Sequence, residues 1–203
     1  MGDRRKRDNR RPHKRRAARR TWTAQAASQV SGGVEVLGWT ILAHPLFLAQ
    51  IEKLLVAAED EEPDLGGGRG PNTKLLAHLL DLAFDKIPRE PGSSAFRHGG
   101  TLGEGRKNWF RAKTGNGRYR LFYRFDSSTR LIVYAWVNDE NSLRTYGSKT
   151  DAYTVFAKML EAGNPPSDWD ALVAVANDKA LVKRLRVLAR RRGLQDKEGQ
   201  LRG

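Results

Sequence analysis

Apolar side chains recur with helical spacing in two stretches of the first half of this chain. The first stretch follows His44-Pro45 and runs to the acidic residues at 59–64, and the second runs from about Asn72 to Lys86. A proline suits the first turn of a helix, and the prolines after the second stretch prevent its continuation. The pattern therefore predicts two amphipathic helices, preceded by a short strand or an extended lead-in at Val34–Ala43.

Alternation with a period of two follows the second helix. It indicates three strands, at Trp109–Lys113, Arg118–Phe125 and Leu131–Val137, joined by turns too short for a crossover. The third strand is apolar on both faces, which is typical of a central strand. Successive hairpins of this kind predict an antiparallel meander.

Three helical segments complete the pattern: about Asp151 to Ala162, a piece that starts near Pro165, and a basic segment from Asp178 to Arg192. Two helices, a meander and further helices in this order predict an α+β fold. We expect the N-terminal helices to pack on a small antiparallel sheet and the C-terminal helices to follow it.

Basic charge is concentrated at the two ends. The 203 residues carry a net charge of +14, of which residues 1–20 contribute +9 and residues 179–203 contribute +7, so the middle is slightly acidic. Residues 1 to about 20 have too few apolar side chains to offset the entropy of ordering. We expect a disordered basic arm at 1–33, either a solvated tail or a nucleic-acid arm, a folded domain at 34–175 and a basic helical extension at 176–203.

The composition excludes several kinds of site. The chain has no cysteine, and its four histidines lack the spacing of metal ligands, so we expect no disulfide, no metal and no cofactor. The glycine-rich stretch 99–105 lacks the Gly-Lys-Ser/Thr ending of a phosphate loop. No apolar run approaches the roughly 20 residues that span a bilayer, and the Arg-rich start lacks a following hydrophobic stretch. These features predict a cytoplasmic protein with no membrane contact.

Cations at alternate positions mark one face of the predicted sheet. Arg118, Arg120 and Arg124 share a face of the second strand, and Arg111 and Lys113 share a face of the first. A guanidinium is permanently charged and can hold two phosphate oxygens. RNA carries its own nucleophile, the 2′-hydroxyl, so its cleavage requires alignment, charge stabilisation and proton transfer. The pattern therefore favours an RNA-cleaving site, although for any single arginine an exposed sheet face would explain the charge equally well.

The proton carriers are less defined than the cations. His98 offers an imidazole as a proton carrier, and Tyr146 lies in the polar loop after the third strand. Asp139 and Glu140 in the same loop either act as a base or hold arginines by ion pairing.

Several motifs in one order resemble the YhaV toxin family. They are Gly38–Pro45, Ser94–Gly99, Gly117–Arg124, and Trp136–Gly147 followed by Lys149–Phe156. The resemblance covers about Leu37 to Trp169 and leaves out both basic ends. It implies a type II toxin related to the RelE superfamily of small α+β endoribonucleases, which acts on mRNA, either free or on the ribosome, and inhibits translation and growth. Because RNA carries its own nucleophile, we expect cleavage without a metal ion.

The resemblance also implies partners and site residues. The usual partner is a PrlF-type antitoxin with an AbrB-like domain, and the complex binds operator DNA and represses its own operon. RelE-type enzymes rely on clustered Arg, Lys and Tyr residues, which agrees with the reading of the strands. The predicted catalytic residues are Arg111, Arg118, Arg120, Lys113, His98 and Tyr146, and the predicted RNA-binding residues are Arg97, Lys107, Arg124, Arg144 and Lys149.

Two alternatives remain open from the sequence. One is a non-catalytic RNA or ribosome binder that blocks translation, which the basic ends would equally support. The other is a repurposed relative that acts as an operon co-repressor with its antitoxin.

Overall fold

A computed structural model of the chain describes residue 30 and residues 32–62, 67–145 and 147–194. The expectations for the arm before residue 30, for Tyr146 and for residues 195–203 lie outside the described residues. Within them the chain forms a mixed fold of five strands and five helices. None of these helices is long and apolar enough to cross a membrane.

The elements follow the predicted order closely. The strands are β1 (Val34–Val36), β2 (Trp39–Ala43), β3 (Phe110–Thr114), β4 (Tyr119–Asp126) and β5 (Leu131–Val137). The helices are α1 (Pro45–Glu59), α2 (Pro71–Asp81), α3 (Ala152–Glu161), α4 (Trp169–Ala176) and α5 (Lys179–Arg191). Helix α2 continues through a π-helical turn (Leu82–Lys86) into a last helical turn (Ile87–Arg89).

The sheet is mixed, with the strand order β1-β2-β5-β4-β3. Strands β3, β4 and β5 form the predicted antiparallel meander, and β5 lies in the centre as expected. The expectation of a wholly antiparallel sheet is wrong, because β2 pairs in parallel with β5, with Thr40 opposite Leu131. The long connection between β2 and β5 contains α1 and α2, and such a crossover permits parallel pairing.

The lead-in at 34–43 is a complete β-hairpin. Leu37 and Gly38 form its two-residue turn, with positive φ angles of 50° and 75°. Positive φ at both central positions is the conformation that matches the right-handed twist of two paired strands. Arg130 donates to the carbonyl of Gly38 and lies over Trp39, so the turn is anchored to the start of β5.

Helices cover both faces of the sheet. On one face α1, α2 and α5 pack over β-strand residues such as Ile41 and Tyr134. On the other face α3 and α4 pack over Trp109 and Phe122, and Phe156 of α3 stacks on Phe122 with 4.2 Å between ring centroids. The face that carries the strand arginines is therefore largely covered by α3 and α4.

Helix α5 is part of this core although its sequence is strongly basic. Its apolar stripe buries Leu185 and Leu188 against α1, β1 and β2. Its basic side pairs with acidic residues of α1, including Arg184 with Glu52 at 2.6 Å. Exposed ion pairs contribute about 0–1 kcal/mol each, so the apolar contacts are the main attachment of α5.

The buried His44 at the start of α1 makes stability sensitive to acid. It is 2% exposed, and its Nδ1 accepts a hydrogen bond from the backbone N–H of Leu46 as the helix cap. Burial disfavours the imidazolium and lowers the pKa of His44 to about 4. The contribution of the neutral His44 ring to the unfolding free energy is therefore fully present above the unfolded-state pKa of about 6.5. It is lost as the pH falls from there to about 4.

We predict that the free energy of unfolding of the parent protein, measured with urea, is about 2 to 3 kcal/mol lower at pH 4.5 than at pH 7.5 because of His44 alone. His44→Asn keeps a capping side chain and should remove this component of the pH dependence. His78→Gln, at an exposed position of α2, is the control and should retain it. If His44→Asn and the parent lost the same unfolding free energy between pH 7.5 and pH 4.5, another group would be responsible.

Candidate active site

Cations meet at the edge of the sheet where β3 ends and β4 begins. Lys113 of β3 lies directly opposite Arg120 of β4 in the strand register, so the two side chains are neighbours on the same face. Arg118 precedes β4 in the turn and not in the strand, and it is exposed, as is Lys113. Arg120 is only 5% exposed because α3 covers it.

Asn138 ties this hairpin to the loop that follows β5. Its buried side-chain oxygen accepts from the backbone N–H of Arg120, and its Nδ2 donates to the carbonyls of Arg118 at 3.2 Å and Ser142 at 2.9 Å. The backbone N–H of Arg144 also donates to the carbonyl of Arg118. The amide side chain thus extends the strand ladder beyond β5 and brings Arg144 beside the hairpin.

Asp151 links the same loop to α3. It is 3% exposed, and its carboxylate caps α3 by accepting from the backbone N–H of Tyr153 at 2.9 Å. It also accepts from the backbone N–H of Thr145 at 2.9 Å and forms an ion pair with Arg144. One buried carboxylate therefore sets the position of both Arg144 and Tyr153.

Tyr153 is the centre around which three arginines converge. Arg111 donates from Nε to the Tyr153 hydroxyl at 2.8 Å. The guanidinium carbons of Arg144 and Arg120 lie 5.1 Å and 5.9 Å from the centroid of the Tyr153 ring. Asp151 supplies one negative charge against these three positive ones. The cluster of Arg111, Arg120, Arg144 and Tyr153, called the arginine cluster below, is therefore net positive and suited to an anion.

The arginines of the cluster differ in how fully their donors are used. Arg111 donates to the carbonyl of Ala95 at 2.7 Å as well as to Tyr153, so it also anchors the loop before β3. Arg120 donates from Nη1 to the carbonyls of Gly117 and Tyr119, but its buried Nε has no partner among the described residues. A buried guanidinium N–H without an acceptor is costly, so it marks where a phosphate oxygen or a water would be stabilised.

Other predicted residues lie away from this cluster. Arg124 is held between Trp109 and Trp169, at 5.6 Å and 5.2 Å from their ring centroids, and donates to the carbonyl of Ser167. Desolvation lowers the pKa of Arg124. The side chain is thus enclosed by structural contacts, which favour a structural role for Arg124 over the predicted RNA-binding role.

The loop before β3 holds the remaining candidates on that side. His98 is 6% exposed, and its Nε2 bonds the carbonyl of Arg106 at 3.0 Å, while Nδ1 has no partner among the described residues. Arg97 lies over Phe110 and donates to the carbonyl of Lys107. No hydrogen bond within the described part of the chain joins His98 to the arginine cluster. Lys107 and Lys149 are exposed loop residues.

Sequence reasoning missed Tyr153, Asp151 and Asn138 as parts of a site. The sequence pattern offers Thr150 or Asp151 as the cap of α3 and Tyr153 for its apolar stripe; in the structure Asp151 is the cap and Tyr153 is buried. The signal that they also serve a site is their position directly after a loop rich in polar residues, at the entrance of the helix that covers the cationic face. Within the described ranges no group of three or more His, Asp and Glu side chains is placed to hold a metal ion.

Comparison with known proteins shows which family the chain is similar to. The family Toxin_YhaV, described as a toxin with endonuclease activity, of a toxin-antitoxin system, matches residues 41–177. Toxin YhaV of Escherichia coli O6:H1 and the ribonuclease toxin YhaV of Escherichia coli K12 are each 48% identical to the chain over 141 residues. The alignment covers 68% of this chain and 91% of each relative. No solved structure matches the chain significantly.

Proposed function

The chain belongs to the YhaV toxin family, whose members are toxins with endonuclease activity in toxin–antitoxin systems, and from this premise we propose that it cleaves messenger RNA without a metal ion. The observation that carries the proposal is the arginine cluster around Tyr153. It places three permanently charged groups beside a hydroxyl, at the end of a sheet, where exposed cations continue onto the surface.

The reaction that fits these groups is transfer of the phosphate to the adjacent 2′-hydroxyl. The 2′-oxygen attacks phosphorus, the bond to the 5′-oxygen breaks, and the products are a 2′,3′-cyclic phosphate and a 5′-hydroxyl. Negative charge grows on the non-bridging oxygens in the transition state, and preorganised guanidinium donors stabilise it there. No co-reactant is required, because the nucleophile belongs to the substrate.

We assign the roles from the contacts of each side chain. Arg120 supplies positive charge and a buried donor, its unpartnered Nε, and Arg144 adds a second guanidinium 5.1 Å from the centroid of the Tyr153 ring. Arg111 fixes the Tyr153 hydroxyl by donating to its oxygen, so the hydroxyl proton is free to pass to the departing 5′-oxygen. Lys113 and Arg118 bind neighbouring phosphates. His98 and Tyr146 stay candidates for the proton acceptor.

The toxin–antitoxin assignment implies an antitoxin partner. We propose that this partner is of the PrlF type, with an AbrB-like domain, and that the complex represses its operon at operator DNA. The same proposal extends to a RelE-like arrangement of the domain, and to arrest of translation and growth as the consequence of mRNA cleavage. These statements rest on the resemblance of the matched motifs.

The direct test is cleavage of a defined RNA by the purified full chain in excess EDTA. We predict cleavage at an undiminished rate, with cyclic-phosphate and 5′-hydroxyl ends identified by mass spectrometry. Tyr153→Phe keeps the ring that packs on the arginines but removes the hydroxyl, and should lower kcat by about 100-fold. Intact RNA together with blocked translation in an extract would instead indicate a binder without catalysis.

A further inference from the structure

A groove lies between α2 and the β3–β4 hairpin, on the outer side of the strand edge. It has a volume of about 550 Å³. Its basic residues come from both walls: Lys74, His78 and Lys86 from the helix, and Lys113 and Arg118 from the hairpin. The described residues that line it include no Asp or Glu. This surface is called the helix–hairpin groove below.

Two acidic residues near this groove, Asp81 and Glu61, are engaged with other donors. Asp81 accepts from Lys86 at 2.9 Å and from Arg192 at 3.0 Å. The Glu61 carboxylate accepts from the backbone N–H groups of Asn72 at 2.9 Å and Thr73 at 3.0 Å, at the start of α2. The groove lining itself carries four permanent cations, Lys74, Lys86, Lys113 and Arg118, and no carboxylate, so it presents a positive field that a polyanion can use.

The floor of the groove can contact a nucleobase, whereas its walls can contact phosphates. The half-buried ring of Tyr119 lies beside Leu75 and Leu82 in the lining. An aromatic ring between spaced cations is the arrangement on which single-stranded nucleic acids stack their bases while the cations follow the backbone. The π-helical turn of α2 contributes Leu82 and Lys86, so a departure from regular helix shapes this wall.

The groove and the arginine cluster lie on opposite faces of the sheet and approach each other at the edge strand β3. Lys113, at the mouth of the groove, lies opposite Arg120 in the strand register. The backbone carbonyl of Arg118, on the same hairpin, accepts a hydrogen bond from the backbone N–H of Arg144. A strand that presents one phosphate to Arg120 would therefore meet the groove with the next nucleotides. No other cationic surface among the described residues is tied to the cluster by both a strand pair and a backbone hydrogen bond.

We propose that the helix–hairpin groove binds the single-stranded RNA that flanks the scissile phosphate, with Lys74 and Lys86 contacting its backbone and Tyr119 stacking on a base. This inference rests on the proposed ribonuclease function and adds the path of the substrate to it. The groove then determines how much unpaired RNA a substrate must offer, since a hairpin stem would not fit a stacking site of this kind.

The test compares two double variants with equal charge change. Lys74→Gln/Lys86→Gln removes two cations from the helix wall, and Lys179→Gln/Lys183→Gln removes two exposed cations from α5. On a single-stranded RNA that extends past the cleavage site on both sides, the groove variant should raise KM about 10-fold and leave kcat unchanged. On a dinucleotide substrate neither variant should differ from the parent.

Binding of an uncleavable RNA tests the groove independently of catalysis. With 2′-O-methyl RNA, the groove variant should bind less tightly than the α5 variant, and its slope of log Kd against log salt should fall by about 1.4 for two lost phosphate contacts. If the parent bound this RNA in the groove but never cut natural RNA, the ribonuclease proposal would fail and the groove would stand.

Three results would overturn the groove itself. One is equal KM and equal salt slopes for the two double variants. Another is an equal effect of Lys74→Gln/Lys86→Gln on dinucleotide and extended substrates, because the groove would then act only on the cluster. The third is normal RNA binding with loss of antitoxin binding, which would make the surface a protein-docking site.

Discussion

Replacing Arg120 by alanine is expected to slow RNA cleavage by about 100- to 1,000-fold, the loss seen when one preorganised donor to a developing anion is removed. Arg120 is the member of the cluster with an unused buried donor, and it lies opposite Lys113 where the groove enters. Arg120→Lys keeps the charge but not the planar fork, so we expect partial activity. Single-turnover cleavage of a defined RNA, with the enzyme in excess, measures the effect.

Arg124→Ala is the matched control for this prediction. Arg124 lies on the same strand and the same face as Arg120, but its guanidinium is held between Trp109 and Trp169 and donates to a backbone carbonyl. Its removal should lower the unfolding free energy and leave the rate of cleavage by folded protein within a few-fold. Equal rate losses in the two variants, with both folded by circular dichroism, would mean that overall charge and not the cluster supports cleavage.

Local periodicity explains why the strands and their shared faces were predictable from sequence. A period of two places Arg111 with Lys113, and Arg120 with Arg124, on one side of the sheet whatever the rest of the chain does. The same reasoning identified β5 as central, because both of its faces are apolar. The predicted starts of α3 and α5, at about Asp151 and Asp178, agree with the observed N-caps Asp151 and Asp178.

What covers a face depends on contacts between residues distant in sequence, and periodicity is silent about these. Tyr153 reaches Arg111 across 42 positions of the chain. Trp169 encloses Arg124 from a helix that the sequence placed only as a further helical piece. The parallel pairing of β2 with β5 has the same origin, since short turns specify hairpins while a long crossover leaves the pairing open. The sequence therefore predicted the cations of the site and missed the residues that position them.

Replacing Asp151 by asparagine is expected to lower both stability and activity. The change leaves one oxygen to cap α3, but it removes the charge that holds Arg144 and places an amide N–H₂ against donors of Arg144 and Thr145. Breaking a buried ion pair on one side costs about 3–5 kcal/mol. Arg144 is 20% exposed, so we expect a loss of about 2–4 kcal/mol in the unfolding free energy measured with urea.

The effect on cleavage separates positioning from capping. Asp151 touches no substrate in the proposed reaction, and it acts by placing Arg144 and Tyr153. Asp168→Asn is the control, because Asp168 also caps a helix, α4, by accepting from the backbone N–H of Ala171 at 2.9 Å, but lies at the surface. Asparagine caps helices about as well as aspartate, so this control should change stability by under about 0.5 kcal/mol and leave kcat unchanged. If Asp151→Asn is no more destabilising than Asp168→Asn and cuts RNA at the parent rate, the buried carboxylate does not organise the site.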